Sequence, residues 1–220
     1  MSKDCPKVNK EKLSVLLEGM AAAQKRILSR IIREESSDWL TVLPLTSGGF
    51  DLSATQFRDQ LATRYNLVPA ALPAVCDGCG DSFFLQYGLD CKKGGLVKKG
   101  HDGLRDHDAG LANLVWGGVG VEPILQADYG RFERPCLQAD WMVRGVWEGD
   151  CVAFFDERII DADTPSYRQS NLTWEAISNR AAEAKKAKYQ GLVEELRALF
   201  TPLIASTEGV LHVEYAAYLK

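Results

Sequence analysis

The chain has 220 residues, 46% hydrophobic and 25% charged, with 26 Lys plus Arg against 30 Asp plus Glu. That composition suits one fair-sized globular domain or two small ones, and it excludes a disordered chain, a collagen-like repeat or a disulfide scaffold. No apolar run approaches the ~18 residues a spanning helix needs, residues 1–5 lack the apolar stretch of a secretory signal, and a formal charge of −4 counts against a free-standing nucleic-acid binder. An intracellular chain with no membrane partner is expected, nuclear if it acts on DNA.

Over residues 8–33, Leu13, Leu16, Leu17, Met20, Ile27 and Ile31 recur at three-and-four spacing, which predicts one helix packing on the body or on a neighbour. Residues 38–45 read as a short extended segment closed by the loop signal Thr46-Ser47-Gly48-Gly49. Ser53, followed three residues later by Gln56, is a capping box. It opens a helix of about three turns with Phe57, Leu61 and Tyr65, which Pro69 and Pro73 end.

The densest chemical signal follows. Cys76 and Cys79 form a C-x2-C pair with Gly78 and Gly80 beside it, and such a turn can bring two sulfurs ~2.3 Å from one zinc ion. Cys91 is the candidate third ligand, and His101 or a water the fourth. The same cysteines also fit a redox pair or three buried free thiols. Cys5, Cys136 and Cys151 show no ligand spacing and read as unpaired thiols. Lys92, Lys93, Lys98, Lys99 and Arg105 cluster behind the pair with only Asp102 among them, which suits either phosphate contacts or a solvated loop.

A helix is expected at 106–115, then the glycine-broken 116–120, a strand at 121–125 and a polar loop at 126–137. Aromatic and β-branched runs at 139–147 and 151–160 flank Glu148-Gly149-Asp150 and predict a hairpin. Centring it on Gly149 sets Asp140 opposite Arg158 and Asp156 opposite Met142. Asp140 and Asp156 are then diagonal neighbours on one face, their Cα atoms ~7–8 Å apart, able to hold one divalent ion. A register slip of one residue would separate them. Asp156, beside Phe154 and Phe155, is either functional or ion-paired with Arg158 or Arg144. A long helix at 172–199 carries the stripe Trp174, Ile177, Ala181, Ala184, Leu192 and Leu196, with Arg180, Lys185, Lys186 and Lys188 on its middle turns. A strand at 200–207 and a last helical run to Lys220 complete the chain.

From Asp106 the order is helix, three-stranded antiparallel meander, helix, strand, with acids on the second and third strands. That order resembles the restriction-endonuclease-like PD-(D/E)XK core. The wording of the chain adds to it: Cys76-x2-Cys79, Tyr87-Gly88-Leu89-Asp90-Cys91, His101 with Arg105-Asp106, Glu122-Pro123, Arg134-Pro135 and Phe155-Asp156 resemble, in this order, the tail that follows the reverse transcriptase in some non-LTR retroelement polyproteins. The resemblance runs from about 38 to 207.

It implies an α/β fold with a helical N-terminal extension at 1–75, a zinc-knuckle-like segment at 76–105 and a restriction-like endonuclease domain at 106–220. The implied activity is metal-dependent nicking of target DNA. In that scheme Asp140 and Asp156 bind Mg²⁺ or Mn²⁺, and Lys185, Lys186 or Lys188 is the base or charge stabiliser. Cys76, Cys79, Cys91 and His101 bind Zn²⁺, and Lys92, Lys93, Lys98, Lys99 and Arg105 meet DNA. A reverse transcriptase region not present in this chain is the implied partner for most of the DNA affinity. The chain departs from the pattern in three ways. Tyr87 stands where such knuckles carry histidine, four residues separate Pro135 from Asp140, and Arg158 stands where a lysine is expected. A catalytically inactive copy that binds nucleic acid or protein is the alternative expectation.

Overall fold

The computed structural model describes residues 10–33, 36, 40, 45–48, 51–91, 93, 95–126, 136–169 and 172–220. The chain divides into two compact units, Met1–Ala71 and Leu72–Lys220.

In the first unit, two helices, α1 (Lys10–Glu18) and α2 (Ala22–Arg33), replace the single one expected. The break falls at Gly19, a residue costing about 1 kcal/mol against alanine inside a helix. Ile27 and Ile31 of the predicted stripe are buried, whereas Leu16 is exposed. α3 (Ala54–Arg64) opens with the expected capping box. Ser53 Oγ accepts from the Gln56 N–H at 3.2 Å and Gln56 Oε1 accepts from the Ser53 N–H at 2.9 Å. The helix stops before either proline because Asn66 turns left-handed at φ 53°, a conformation asparagine tolerates better than most residues. Most of 38–45 lies outside the described residues.

The second unit begins with the cysteine turn, then α4 (Leu85–Asp90) and α5 (Leu96–Val115). The strands are β1 (Gly120–Val121), β2 (Ile124–Gln126), β3 (Leu137–Gln138), β4 (Trp141–Arg144) and β5 (Val152–Ile160). After them come α6 (Pro165–Gln169), α7 (Trp174–Glu195), β6 (Leu199–Ser206) and α8 (Val213–Tyr218). A mixed four-stranded sheet has the order β1-β4-β5-β6, and β2 pairs with β3. β5 and β6 run parallel, joined through α6 and α7, while the other pairs are antiparallel. The expected α/β class therefore holds. The strand expected at 121–125 is split where Glu122 takes φ 52° ahead of Pro123.

α5 starts at Leu96, ten residues before the expected 106, because Gly95 in the left-handed region at φ 71° can begin the helix there. Its inward stripe is His101, Arg105, Asp108, Ala109 and Ala112, polar at one end and apolar at the other. α5 and α8 cover one face of the sheet, where Ala112, Trp141, Phe155, Leu203 and Tyr218 are buried together. The Trp141 and Phe155 rings stack at 3.9 Å and 9° as cross-strand neighbours. α7 covers the other face with Ile177 and Ala181 against Ile204, and Tyr189 and Val193 against Phe154.

The hairpin register differs from the expected one. Trp141 pairs with Phe155 and Arg144 with Val152, so the pairing is centred on Glu148 rather than Gly149. The cause is local: Gly145 at φ 93° turns the chain early, and its N–H bonds to Cys151 O at 3.0 Å. The opposite residue moves by two positions, an even number, so every side chain keeps its face. The ladder ends at Trp141 with Phe155, and Asp140, just ahead of β4, bonds through its N–H to Phe155 O at 3.0 Å rather than facing Arg158.

Candidate active site and metal centre

The acids meet where β4 begins beside β5, the two inner strands of the sheet. The Asp140 N–H bonds to Phe155 O at 3.0 Å, and Asp140 Oδ2 accepts from the Glu157 N–H at 2.6 Å. From α7, Lys185 Nζ stands 2.5 Å from Asp156 Oδ2 and donates to Glu157 O at 2.9 Å. The lysine is held there by the helix period: Ile177, Ala181, Lys185, Tyr189 and Val193 follow one another at steps of four along the face on the sheet, and Ile177, Ala181, Tyr189 and Val193 are buried. The expected stripe included Ala184 and Leu196, and both are exposed. Lys186 instead pairs with Glu214 at 2.6 Å, and Lys188 lies over the Tyr189 ring at 4.8 Å. Of the three candidate lysines, Lys185 is the one at the acids.

The ion pair expected between Asp156 and Arg158 or Arg144 is not formed among the described residues. Arg158 is exposed and the Arg144 guanidinium donates to Asp150 O. Asp156 takes Lys185 because its side chain points to the α7 face.

His101 is also corrected: it is not with the cysteines. Its Nε2 lies 3.2 Å from Asp140 Oδ2 and its Nδ1 3.6 Å from Asp102 Oδ1. The early start of α5 puts His101 one turn ahead of Arg105 on the face that meets the sheet. Four groups therefore converge, two carboxylates and a cationic side chain from each layer.

Their electrostatics pull the acids apart. Burial pushes Asp140 up, but the His101 hydrogen bond and the Glu157 N–H outweigh it, leaving Asp140 below the usual carboxylate range. Burial holds Asp156 above that range despite the Lys185 charge. The hydrogen bond to Asp140 raises His101 to about 9, against the opposing effect of burial. Burial lowers Lys185, with Asp156 opposing. Two touching carboxylates with oppositely shifted affinities for a proton are the pattern of an acid–base or cation-binding pair.

Beneath them is a group the sequence reading missed. Glu157 follows Asp156 on β5, so it faces the α5 side, where it is 1% exposed. Its Oε1 accepts from Trp141 Nε1 at 3.0 Å, and its Oε2 has no hydrogen-bond partner among the described residues. Burial first, then the charge of Asp108, lifts Glu157 to about 8. Asp108 is 2% exposed and accepts from the Tyr215 hydroxyl, which ties α8 to α5. The alternation of a strand carried this signal, since an acid next to Phe155 and Asp156 must share a face with one of its neighbours two positions away.

The cysteines form a separate centre. The ligand atoms of Cys76, Cys79 and Cys91 lie within 4.8 Å of one another, with Cys91 Sγ 3.7 Å from Cys76 Sγ and 3.8 Å from Cys79 Sγ. Two thiolates on one tetrahedral zinc, each ~2.3 Å from the ion, stand about 3.8 Å apart. The three residues fit a metal such as zinc. The turn that brings them together is closed by Gly80 N–H to Cys76 O and Cys76 N–H to Asp81 O, both 2.8 Å, with Gly80 at φ 77°.

No protein-family model matches the chain, and no curated protein matches it. The site's own geometry therefore carries the functional argument.

The basic cluster is divided by the structure. Lys93 and Lys99 are exposed, Lys98 pairs with Asp102 at 2.6 Å, and Lys92 lies outside the described residues, as do Arg134 and Pro135. Arg105 is 11% exposed in its side chain and committed to Asp102, Asp106 and Glu122, the last at 2.5 Å. It is a tie between α5 and the loop after β1, already saturated with carboxylates, and so not a free phosphate contact. Among the described cysteines, Cys136 and Cys151 are free thiols away from the cluster, and Cys5 lies outside the described residues.

Proposed function

We propose that residues 72–220 are a metal-dependent DNA endonuclease of the restriction-like kind, derived from a non-LTR retroelement and nicking target DNA. The observation that carries this reading is Lys185 on Asp156, with Asp140 beside it: two carboxylates on neighbouring strands and a lysine from the following helix. The order α5, β1, β4, β5, α7, β6 supports a restriction-like core, with the cysteine turn as its preceding knuckle and the helices of residues 10–64 as an extension.

The donor set suits Mg²⁺ or Mn²⁺, hard ions that take carboxylate oxygens. His101, the Glu157 N–H and Lys185 all engage Oδ2 atoms. A divalent ion on the pair supplies polarisation of the scissile phosphate and an acidified water. The protein's own residues do the rest. Lys185 replaces the lysine expected beside Asp156, where Arg158 stands. A guanidinium does not give up its proton, whereas Lys185, which burial lowers from its ordinary value, can serve as a base or as a neutralising cation for the phosphate. His101 fixes the Asp140 carboxylate. Lys93 and Lys99 are the exposed cations for the DNA backbone, and a reverse transcriptase region outside this chain supplies further affinity.

A plasmid-nicking assay with Mn²⁺ tests the reading. Nicking by the wild type and its loss in Asp156→Ala is the expected result; equal activity, or none in either, rejects it. The second reading, an inactive copy that binds nucleic acid or protein, is favoured by one fact: both acids already have a cationic partner, His101 and Lys185. DNA or protein binding without nicking and without Mn²⁺ uptake selects it.

A further inference from the structure

Three thiolates leave a tetrahedral zinc one ligand short, and the residue expected to complete it, His101, is at the acid pair. A different side chain points into the sulfur cluster. Tyr87, on α4, has its hydroxyl oxygen 2.5 Å from Cys79 Sγ.

Its placement is determined by neighbours. The Tyr87 ring packs edge-on to Phe83 at 6.4 Å and tilted against Phe84 at 5.7 Å. The chain between the two cysteine arms is drawn tight there, since a Cβ on Gly88 would fall 2.7 Å from Phe83 Cζ. Tyr87 O accepts from the Cys91 N–H at 2.8 Å, which fixes the third thiol relative to the ring. Asp81, in the turn after Cys79, accepts the Tyr87 hydroxyl proton at 3.0 Å. With the proton donated to Asp81, the lone pairs of the oxygen remain for the cluster.

We propose that Tyr87 Oη is the fourth ligand of a zinc ion held by Cys76, Cys79 and Cys91, with Asp81 as the carboxylate that orients it. This rests on the reading of the cysteines as a zinc centre and is independent of nuclease activity. Zinc binding would take the phenolate form, the proton passing to solvent by way of Asp81, so that three thiolates, one Zn²⁺ and one phenolate carry a net charge of −2. A carboxylate behind a ligand's hydrogen is a common device for setting that ligand's direction and basicity. Sulfur and oxygen ligands of one tetrahedral zinc stand about 3.5 Å apart, from bond lengths of ~2.3 and ~2.0 Å. A bound ion would set the Tyr87 oxygen about 1 Å farther from Cys79 than it stands here. The oxygen is a harder and weaker donor than the imidazole of a usual knuckle, which makes this zinc more exchangeable.

The test uses the full chain. Zinc content and affinity by competition with a chromophoric chelator, and the visible spectrum of the Co²⁺-substituted protein, are compared for wild type, Tyr87→Phe, Tyr87→His and His101→Gln. Expected are about one zinc per wild-type chain, affinity lowered roughly tenfold to a hundredfold in Tyr87→Phe, restored or raised in Tyr87→His with an altered Co²⁺ spectrum, and unchanged in His101→Gln. Far-UV circular dichroism checks that Tyr87→Phe folds. Wild-type affinity and spectrum in Tyr87→Phe would overturn the assignment of Tyr87 while leaving the zinc centre. A wild type without zinc overturns both.

Discussion

Asp140, just ahead of β4, lies beside Asp156 on the inner strand β5, Asp140 Oδ2 held by the Glu157 N–H at 2.6 Å and by His101 Nε2 at 3.2 Å. Asp156 is held from the opposite layer by Lys185. One acid is thus oriented by α5 and the other by α7, with the sheet between them. That division gives each acid its own role and each partner its own test.

Removing Lys185 should act on the chemistry, and nicking is compared at a temperature where circular dichroism shows both variants folded. Lys185→Met is expected to lower Mn²⁺-dependent nicking about a hundredfold, a typical effect for a group acting on the reacting phosphate. Lys186→Met, which removes a pair with Glu214 away from the acids, is expected to keep wild-type activity. Initial nicking rates on supercoiled plasmid give the answer, and equal losses in the two variants would take Lys185 out of the mechanism.

The same variant leaves a buried carboxylate without its cation. Losing one partner of such a pair costs on the order of 3–5 kcal/mol. The cost should shrink when Asp156 can take a proton, so urea unfolding of Lys185→Met is expected to lie closer to wild type at pH 5 than at pH 7.5. Lys185→Met combined with Asp156→Asn should recover much of the loss at the higher pH.

Glu157 makes stability depend on pH in the opposite sense to a salt-bridged acid. Its proton is held to about 8 in the folded chain but only to about 4.5 when unfolded. Between those values the folded state binds the extra proton, so its contribution is greatest below pH 4.5, falls as pH rises, and is fully lost above about 8. Glu157→Gln keeps an acceptor for Trp141 Nε1 and removes the titration. Urea unfolding at pH 5 and pH 9 should show the variant gaining on wild type at the higher pH; a constant difference would mean that Glu157 does not titrate in this range.

His101 and the cysteines should report on different centres. Cys91→Ser is expected to abolish zinc uptake, and His101→Ala to leave it unchanged while lowering nicking, because His101 touches Asp140 and not the thiols. Elemental analysis and the plasmid assay on the same two proteins separate these effects.

Much of this was legible in the chain. The capping box at Ser53 and Gln56 formed as written, since a cap is made by residues three apart that fold on each other whatever surrounds them. The C-x2-C turn closed for the same local reason, whereas Cys91, 12 residues beyond Cys79, was brought to it by α4. Asp140 and Asp156 met despite a wrong register, because a shift of two keeps each strand residue on its face, but Asp140, just ahead of β4, turns to His101 on the α5 side rather than sharing the α7 face of Asp156.

Neighbouring residues alone set the local grammar of the chain: the α/β order, the acid-bearing hairpin and the C-x2-C turn. Which cation answers each acid follows instead from packing between distant segments. His101 left the cysteines for Asp140 because Gly95 started α5 early and turned that residue toward the sheet. Lys185 was chosen over Lys186, Lys188 and Arg158 because it alone combined the inward position on α7 with the face of β5 that carries Asp156. Those pairings depend on how two helices are rotated against a sheet, and rotation is set by the packing of residues far apart in the chain.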